Sequence, residues 1–224
     1  MHIWKPVRSA SAAVAVLAFA TATAGAQDFA GRSRIELRVG AVISGGTTIT
    51  TVGNIVSETQ SVGALGALVF SHWLRDELAV TFTIGGWAVD IESSVGAGGV
   101  TSRTAVVAPL MGGVRYYLAP SSVGGFRPFV SFAAGPVFGT ESESSVGVTI
   151  VSRSITRTAV GGRVGAGFDV PLAGSWIFGM FGGYTLMSDF SDPIGSEENH
   201  SAPDVGIGIS WTWGGASRRS ELRF

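Results

Sequence analysis

The sequence predicts an all-β fold, an eight-stranded antiparallel up-and-down transmembrane β-barrel, and three observations carry that prediction. The 224 residues are 46% hydrophobic and only 14% charged, where an ordinary soluble domain carries about 25% charge, so water is not the chain's only solvent. The longest apolar stretches, residues 12–20 and 105–110, fall well short of the roughly 18 residues a membrane-spanning helix needs. Alternation of apolar and polar residues with period two, the mark of a strand with unlike faces, recurs along the chain instead.

Residues 1–26 precede the strands. A basic start (His2, Lys5, Arg8), an apolar core (AAVAVLAFA, 12–20) and Ala24-Gly25-Ala26 fit a secretory signal with a small-x-small cleavage site. Cleavage after Ala26 would leave 13 basic residues, all arginine, against 16 acidic ones, a formal charge of −3. A lysine-free, weakly acidic exported chain lacks the basic clusters that nucleic-acid binding needs.

Eight segments show the alternation or accommodate it: 34–42, 61–72, 78–90, 103–118, 127–139, 157–170, 176–187 and 202–213. Each has the length of a tilted membrane-crossing strand, roughly 9 to 11 residues plus overhang. Long polar connections (43–60, 91–102, 140–156 and 188–201) alternate with short turns (73–77, 119–126 and 171–175). An even strand count with loops sorted long and short is the layout of an outer-membrane barrel, with extracellular loops and periplasmic turns. The domain plan is therefore a cleaved signal at 1–26, a barrel at 27–213 and a short periplasmic tail at 214–224.

In the first segment Ile35, Leu37, Val39 and Ala41 share one face and Arg34, Glu36, Arg38 and Gly40 the other, one suited to lipid and one to water. The fourth sets Val106, Ala108, Leu110, Val114, Tyr116 and Leu118 against Arg103, Met111, Gly113, Arg115 and Tyr117. The sixth opposes Val160, Val164, Ala166, Phe168 and Val170 to Arg157, Gly161, Arg163, Gly165, Gly167 and Asp169. The eighth alternates Val205, Ile207, Ile209, Trp211 and Trp213 with glycine, serine and threonine. The second and seventh are apolar on both faces, which leaves their lipid side open. Hydrocarbon offers no partner to backbone N–H and C=O groups, so the sheet must close on itself, and eight strands close into a barrel filled mainly by side chains. Aromatics near strand ends (Trp73, Trp87, Tyr116, Tyr117, Phe126, Phe129, Trp176, Tyr184, Trp211 and Trp213) are expected to form an interfacial girdle.

The segment GGVRYYLAP (112–120), a turn, and RPFVSFAAGPVFG (127–139) resemble the central hairpin of small outer-membrane β-barrels of the OmpA, OmpX and OmpW type. VGIGISWTW (205–213) resembles their barrel-assembly signal, carried here by Val205, Ile207, Ile209, Trp211 and Trp213. The resemblance spans the mature chain and implies a Gram-negative outer membrane, with outer-membrane lipid, periplasmic chaperones and barrel-assembly machinery as partners and a monomeric state. It identifies an architecture and names no extracellular ligand. The tail GGASRRSELRF (214–224) departs from the pattern, in which the last strand commonly ends the chain.

Zero cysteines exclude disulfides, thiolate nucleophiles and zinc-thiolate sites. The absence of lysine after position 5 excludes a P-loop and a Schiff base. The glycines of GGRVGAG (161–167) lie in a strand pattern with no following helix and form no dinucleotide fingerprint. Asp189, Asp192, Glu197 and Glu198 are oxygen donors for a cation, though a solvated loop accounts for them better. No catalytic residue, metal site or cofactor is expected.

Arg34, Glu36, Arg38, Arg103, Arg115, Arg157, Arg163 and Asp169 face inward, with arginines in excess of carboxylates. They read as an ion network that plugs the lumen and fixes register, or as the lining of a narrow anion-favouring pore. Asn199-His200-Ser201 faintly resembles the His and Ser of lipid-A deacylase barrels, but adjacent residues on a strand point to opposite faces. The leading expectation is a structural, adhesive or surface-exposed barrel without catalysis. A narrow channel for small solutes is the first alternative, a lipid-modifying enzyme the second, and a soluble exported binder the outsider.

Overall fold

The computed structural model describes residues 29–52, 55–96, 99–118, 125–146, 150–195 and 197–215. Eight antiparallel strands, β1 (Arg32–Val52), β2 (Ile55–Trp73), β3 (Leu78–Gly96), β4 (Gly99–Tyr117), β5 (Arg127–Val146), β6 (Ile150–Pro171), β7 (Trp176–Met187) and β8 (Ala202–Gly214), pair in chain order and close through β1 and β8. The closing ladder runs from Arg32 opposite Gly214 to Val42 opposite Asp204. No strand edge is left unpaired at the level of the ring, which is what hydrocarbon demands. The signal at 1–26 and most of the tail lie outside the described residues.

The outer surface carries an apolar band contributed by every strand, including Leu37, Leu68, Ile84, Val114, Phe132, Val164, Leu186 and Ile207, each more than two-fifths exposed. Single exposed apolar residues are ordinary on a soluble protein; a continuous belt of them is not. The band also assigns the two ambiguous strands. In β2, Val62, Leu68 and Phe70 point out while Val69, Ser71 and Trp73 are buried inside. In β7, Trp176, Met180, Tyr184 and Leu186 point out while Ile177, Phe181, Thr185 and Met187 point in.

Two expectations need correction. The connections 43–60, 91–102 and 140–156 are not loops. β1 and β2 stay paired as far as Val52 opposite Ile55, β3 and β4 as far as Gly96 opposite Gly99, and β5 and β6 as far as Val146 opposite Ile150. These stretches are rich in Ser, Thr, Val and Ile, which favour strand geometry. Beyond the membrane both faces meet water, so the ladder continues without the alternation that reveals it inside the bilayer. β4 and β5 also remain paired up to Val100 opposite Val146, so β3 to β6 rise together as one four-stranded wall, beside a separate β1–β2 arm. Register shifts occur between Ile43 and Thr47 and between Ala88 and Asp90, where the extensions leave the ring; bulges concentrate at barrel rims because they bend and twist the strand.

The aromatic girdle is the second. Tyr116, Phe126, Trp176, Tyr184, Trp211 and Trp213 are outside, but Trp73, Trp87, Tyr117 and Phe129 are buried in the lumen. Strand parity decides this, since each of the four shares its face with inward neighbours. At the short-turn end Trp211 stacks on Trp213 with centroids 5.2 Å apart, and Phe126 meets Phe168 at 4.7 Å, forming an outward belt there.

Candidate functional site

The lumen is the only enclosed environment the ring creates, and it is filled in layers. At the short-turn end the chain before β1 folds under the barrel. Asp76 Oδ1 accepts hydrogen bonds from the backbone N–H groups of Phe29 (2.7 Å) and Ala30 (2.9 Å), and Gly31, at φ 76°, makes the turn that only glycine adopts without strain. Phe29 is thereby seated against Trp73, which packs on Tyr117, which packs on Phe129. The Arg127 guanidinium lies between the rings of Phe29 (3.7 Å) and Tyr117 (4.2 Å) and donates from Nη2 to the Asp76 carbonyl at 2.8 Å. Stacking on two ring faces offsets part of the cost of burying that charge.

An ion network lies above this floor. The Glu36 carboxylate, 1% exposed, meets Arg34 at 3.0 Å, Arg38 at 3.0 Å and Arg115 at 2.9 Å. Asp169 accepts from Arg34, from Tyr117 Oη (2.8 Å) and from Arg115 (3.5 Å). These groups come from β1, β4 and β6, so the network ties strands across the barrel. Gly208 makes room for it: a Cβ there would stand 2.7 Å from Glu36 Oε1.

Among the sequence-derived lumen residues, Arg34, Glu36, Arg38, Arg115 and Asp169 form this one network, whereas Arg103, Arg157 and Arg163 do not join it. Arg163 pairs with Asp204 at 2.5 Å. Arg103 pairs with Glu141 at 2.8 Å and Arg157 with Asp192 at 3.2 Å, both near the hairpin end. Tyr117, which the alternation turned inward without marking it as part of the network, and Arg127, Glu141, Asp192 and Asp204, which it did not single out, complete these contacts. Tyr117, Arg127 and Asp204 share strand parity with inward residues, which is the signal that could have found them; Asp192 sits on a loop, where parity says nothing.

The fourth connection, 188–201, is a true loop and caps the lumen. Phe190 and Ile194 are buried with Val42, Trp87, Val107, Met111, Val137 and Met187. Gly195 is gripped on both backbone groups, its carbonyl by Arg103 Nη2 at 3.2 Å and its N–H by Glu141 Oε2 at 3.1 Å. Gly139 lies beneath: a Cβ there would stand 2.6 Å from Ile194 and 2.8 Å from Phe190. His200 is 4% exposed, with Nε2 2.9 Å from the Ile194 carbonyl and Nδ1 3.9 Å from Glu197. Burial pushes the His200 imidazole below its ordinary pKa, only partly offset by that carbonyl and by Glu197.

The Asn199-His200-Ser201 trio serves this cap. Asn199 Nδ2 donates to Met187 O at 2.9 Å and to Asp189 at 2.7 Å, and Ser201 Oγ accepts from Met187 N at 2.9 Å. His200 and Ser201 each bond backbone, and no hydrogen bond joins them among the described residues. The four acidic residues of the loop are likewise spread: Asp192 binds Arg157, Glu197 faces His200, and Asp189 holds Asn199. Among the described residues no group of three or more potential metal ligands assembles.

Between network and cap lies a cavity of about 60 Å³ whose lining combines apolar residues, Leu65, Val69, Trp87 and Met111, with polar and charged ones, Arg38, Thr83, Arg163 and Asp204. Val205, Ile207, Ile209, Trp211 and Trp213 stand on the outer face of β8, all at least 37% exposed.

A closed eight-stranded ring with an apolar outer belt and a charged, packed lumen defines a transmembrane β-barrel of the outer-membrane type. The chain has the fold of the crystal structure of Ail, the attachment invasion locus protein of Yersinia pestis, in complex with the heparin analogue sucrose octasulfate (TM-score 0.52, 9% identity, 82% of this chain and 99% of that one). Similar solved structures include a major outer membrane protein from Thermus thermophilus (TM-score 0.49, 14% identity, 81% and 99% covered) and Neisserial surface protein A (TM-score 0.47, 9% identity, 81% and 97% covered). No protein-family model and no curated protein sequence matches the chain.

Proposed function

We propose that the protein is a closed, non-catalytic barrel of the outer membrane whose tall hairpins bind a partner at the cell surface. The observation that carries this reading is the β-structure beyond the ring. From Ile43 to Val52, β1 continues past its last pairing with β8, about 30 Å of extended chain at roughly 3.3 Å per residue, and the β3–β6 wall rises with it. So much ordered strand has no use in holding the barrel in lipid, but it is a rigid platform for recognition. The short-turn end, with its aromatic belt and both ends of the described chain, is periplasmic in this reading, and β8 supplies the assembly signal.

The channel reading is disfavoured by the layers: an aromatic floor, an ion network and a capped top stand in series across one narrow lumen. Cells displaying the wild-type protein should adhere to host-matrix or abiotic surfaces, and variants with 44–60 or 91–102 replaced by two-residue turns should insert normally but lose adhesion. Equal adhesion of both would overturn the proposal, and regular conductance steps from the purified protein in a planar bilayer would replace it with the channel.

A further inference from the structure

We infer that the lumen cavity is a binding chamber for a short-chain aliphatic carboxylate, held at Arg38 and covered by the 188–201 loop. The argument starts from charge. Three guanidiniums, Arg34, Arg38 and Arg115, are served by two carboxylates, Glu36 and Asp169, while Arg163 is matched by Asp204. Arg127, buried in the floor beneath with the Asp76 carbonyl as its hydrogen-bond acceptor, adds a further cation, so positive charge is in surplus in a water-poor interior, where uncompensated charge is costly and draws a counter-ion.

That excess lies where a ligand could reach it. Arg38 lines the cavity and is 7% exposed. Its Nε and Nη2 donate to Glu36, its guanidinium stacks over Phe181 at 4.6 Å, and Nη1 has no hydrogen-bond partner among the described residues. A carboxylate there would complete the fork geometry that guanidinium favours.

The apolar part of the lining decides the rest of the ligand. Leu65, Val69, Trp87 and Met111 offer an apolar surface that a halide leaves unused and an alkyl chain fills. The cavity is small, about 60 Å³, which limits the chain to a few carbons. Val42, Trp87 and Met111 belong both to this lining and to the cluster under Phe190 and Ile194, so the ligand enters when the loop lifts and is enclosed when it returns.

The test is calorimetric titration of the protein in nanodiscs with acetate, butyrate and hexanoate, with chloride and hexylammonium as comparisons. The expected result is saturable carboxylate binding that tightens about fourfold per added methylene until the chamber is full, with chloride weaker than butyrate and no saturable binding of hexylammonium. Arg38→Met should weaken butyrate at least tenfold, the scale of a lost charge-assisted hydrogen bond. Thr83→Leu, whose cross-strand neighbours are Val69 and Met111 and not the network, fills the chamber, should weaken hexanoate more than acetate, and keeps the proposal testable where Arg38→Met does not fold. Absence of saturable binding, affinity independent of chain length, or equal binding of the ammonium overturns the inference. The adhesion assay is independent of all of these outcomes.

Discussion

Glu36→Gln is the sharpest perturbation of the lumen. The carboxylate is buried and touches three guanidiniums at 2.9 to 3.0 Å. At about 4 Å between charge centres and an effective dielectric near 20, each contact corresponds to about 4 kcal/mol of attraction. Burying the ions costs several kcal/mol apiece, so the sum overstates the net contribution. Neutralising the shared carboxylate alone leaves Arg34 and Arg115 on Asp169 and Arg38 with no carboxylate contact, and the loss expected for such a broken buried network is about 3–5 kcal/mol. That is a factor of roughly 10² to 10³ or more in the folding equilibrium. Urea titration of the protein in lipid vesicles, followed by the gel shift between folded and heat-unfolded forms, measures it. Removing Arg38 as well, in Glu36→Gln/Arg38→Met, should recover part of the loss, because the surplus charge falls with it. A Glu36→Gln protein within about 1 kcal/mol of wild type, or a double variant worse than the sum of its singles, would refute the shared-carboxylate reasoning.

The remaining predictions concern the cap. Gly139→Val places methyl groups where Phe190 and Ile194 pack, and should undock the loop, exposing two side chains whose burial contributes about 1.5–3 kcal/mol each; cleavage by a glutamate-specific protease at Glu197 and Glu198 should rise sharply, while the gel shift of the ring persists. For His200, whose pKa is lowered by burial, the stability of the docked loop is fully present above the ordinary value of 6.5 and is lost as pH falls through the lowered one. Hydrogen exchange at the N–H groups of Phe190 and Ile194, bonded to Glu198 and Glu197 carbonyls, should therefore accelerate in acid, and His200→Gln should flatten that dependence.

What the sequence revealed follows the contrast between the solvents on the two faces. In β1, β4, β6 and β8 the inward side carries charge, glycine or hydroxyls opposite branched aliphatics, so parity alone assigns Arg34, Glu36, Arg38, Arg115 and Asp169 to the lumen. In β2 and β7 the inward positions Leu65, Val69, Ile177 and Phe181 line the aromatic floor and the apolar part of the cavity, and the contrast vanishes. Past the rim, the sequence from Thr47 to Val52 and that of its partners lacks the alternation while the ladder continues. The cap was hidden for another reason: Phe190 and Ile194 belong to no periodic segment, and they are held over the lumen by long-range contacts, among them the clamp by Arg103 and Glu141 on one glycine.

The central claim is that this chain forms a ring whose odd and even positions face lipid and lumen as assigned. Because the chain contains no cysteine, single-cysteine scanning needs no background removal. Bimane attached at positions 64 to 71 of β2 and 205 to 212 of β8, in vesicles containing nitroxide-labelled lipid, reads the two faces directly. Strong quenching is expected at Ala64, Gly66, Leu68 and Phe70 and at Val205, Ile207, Ile209 and Trp211, with weak quenching at the positions between. Uniform quenching along either strand, or the opposite parity in β2, would contradict the account.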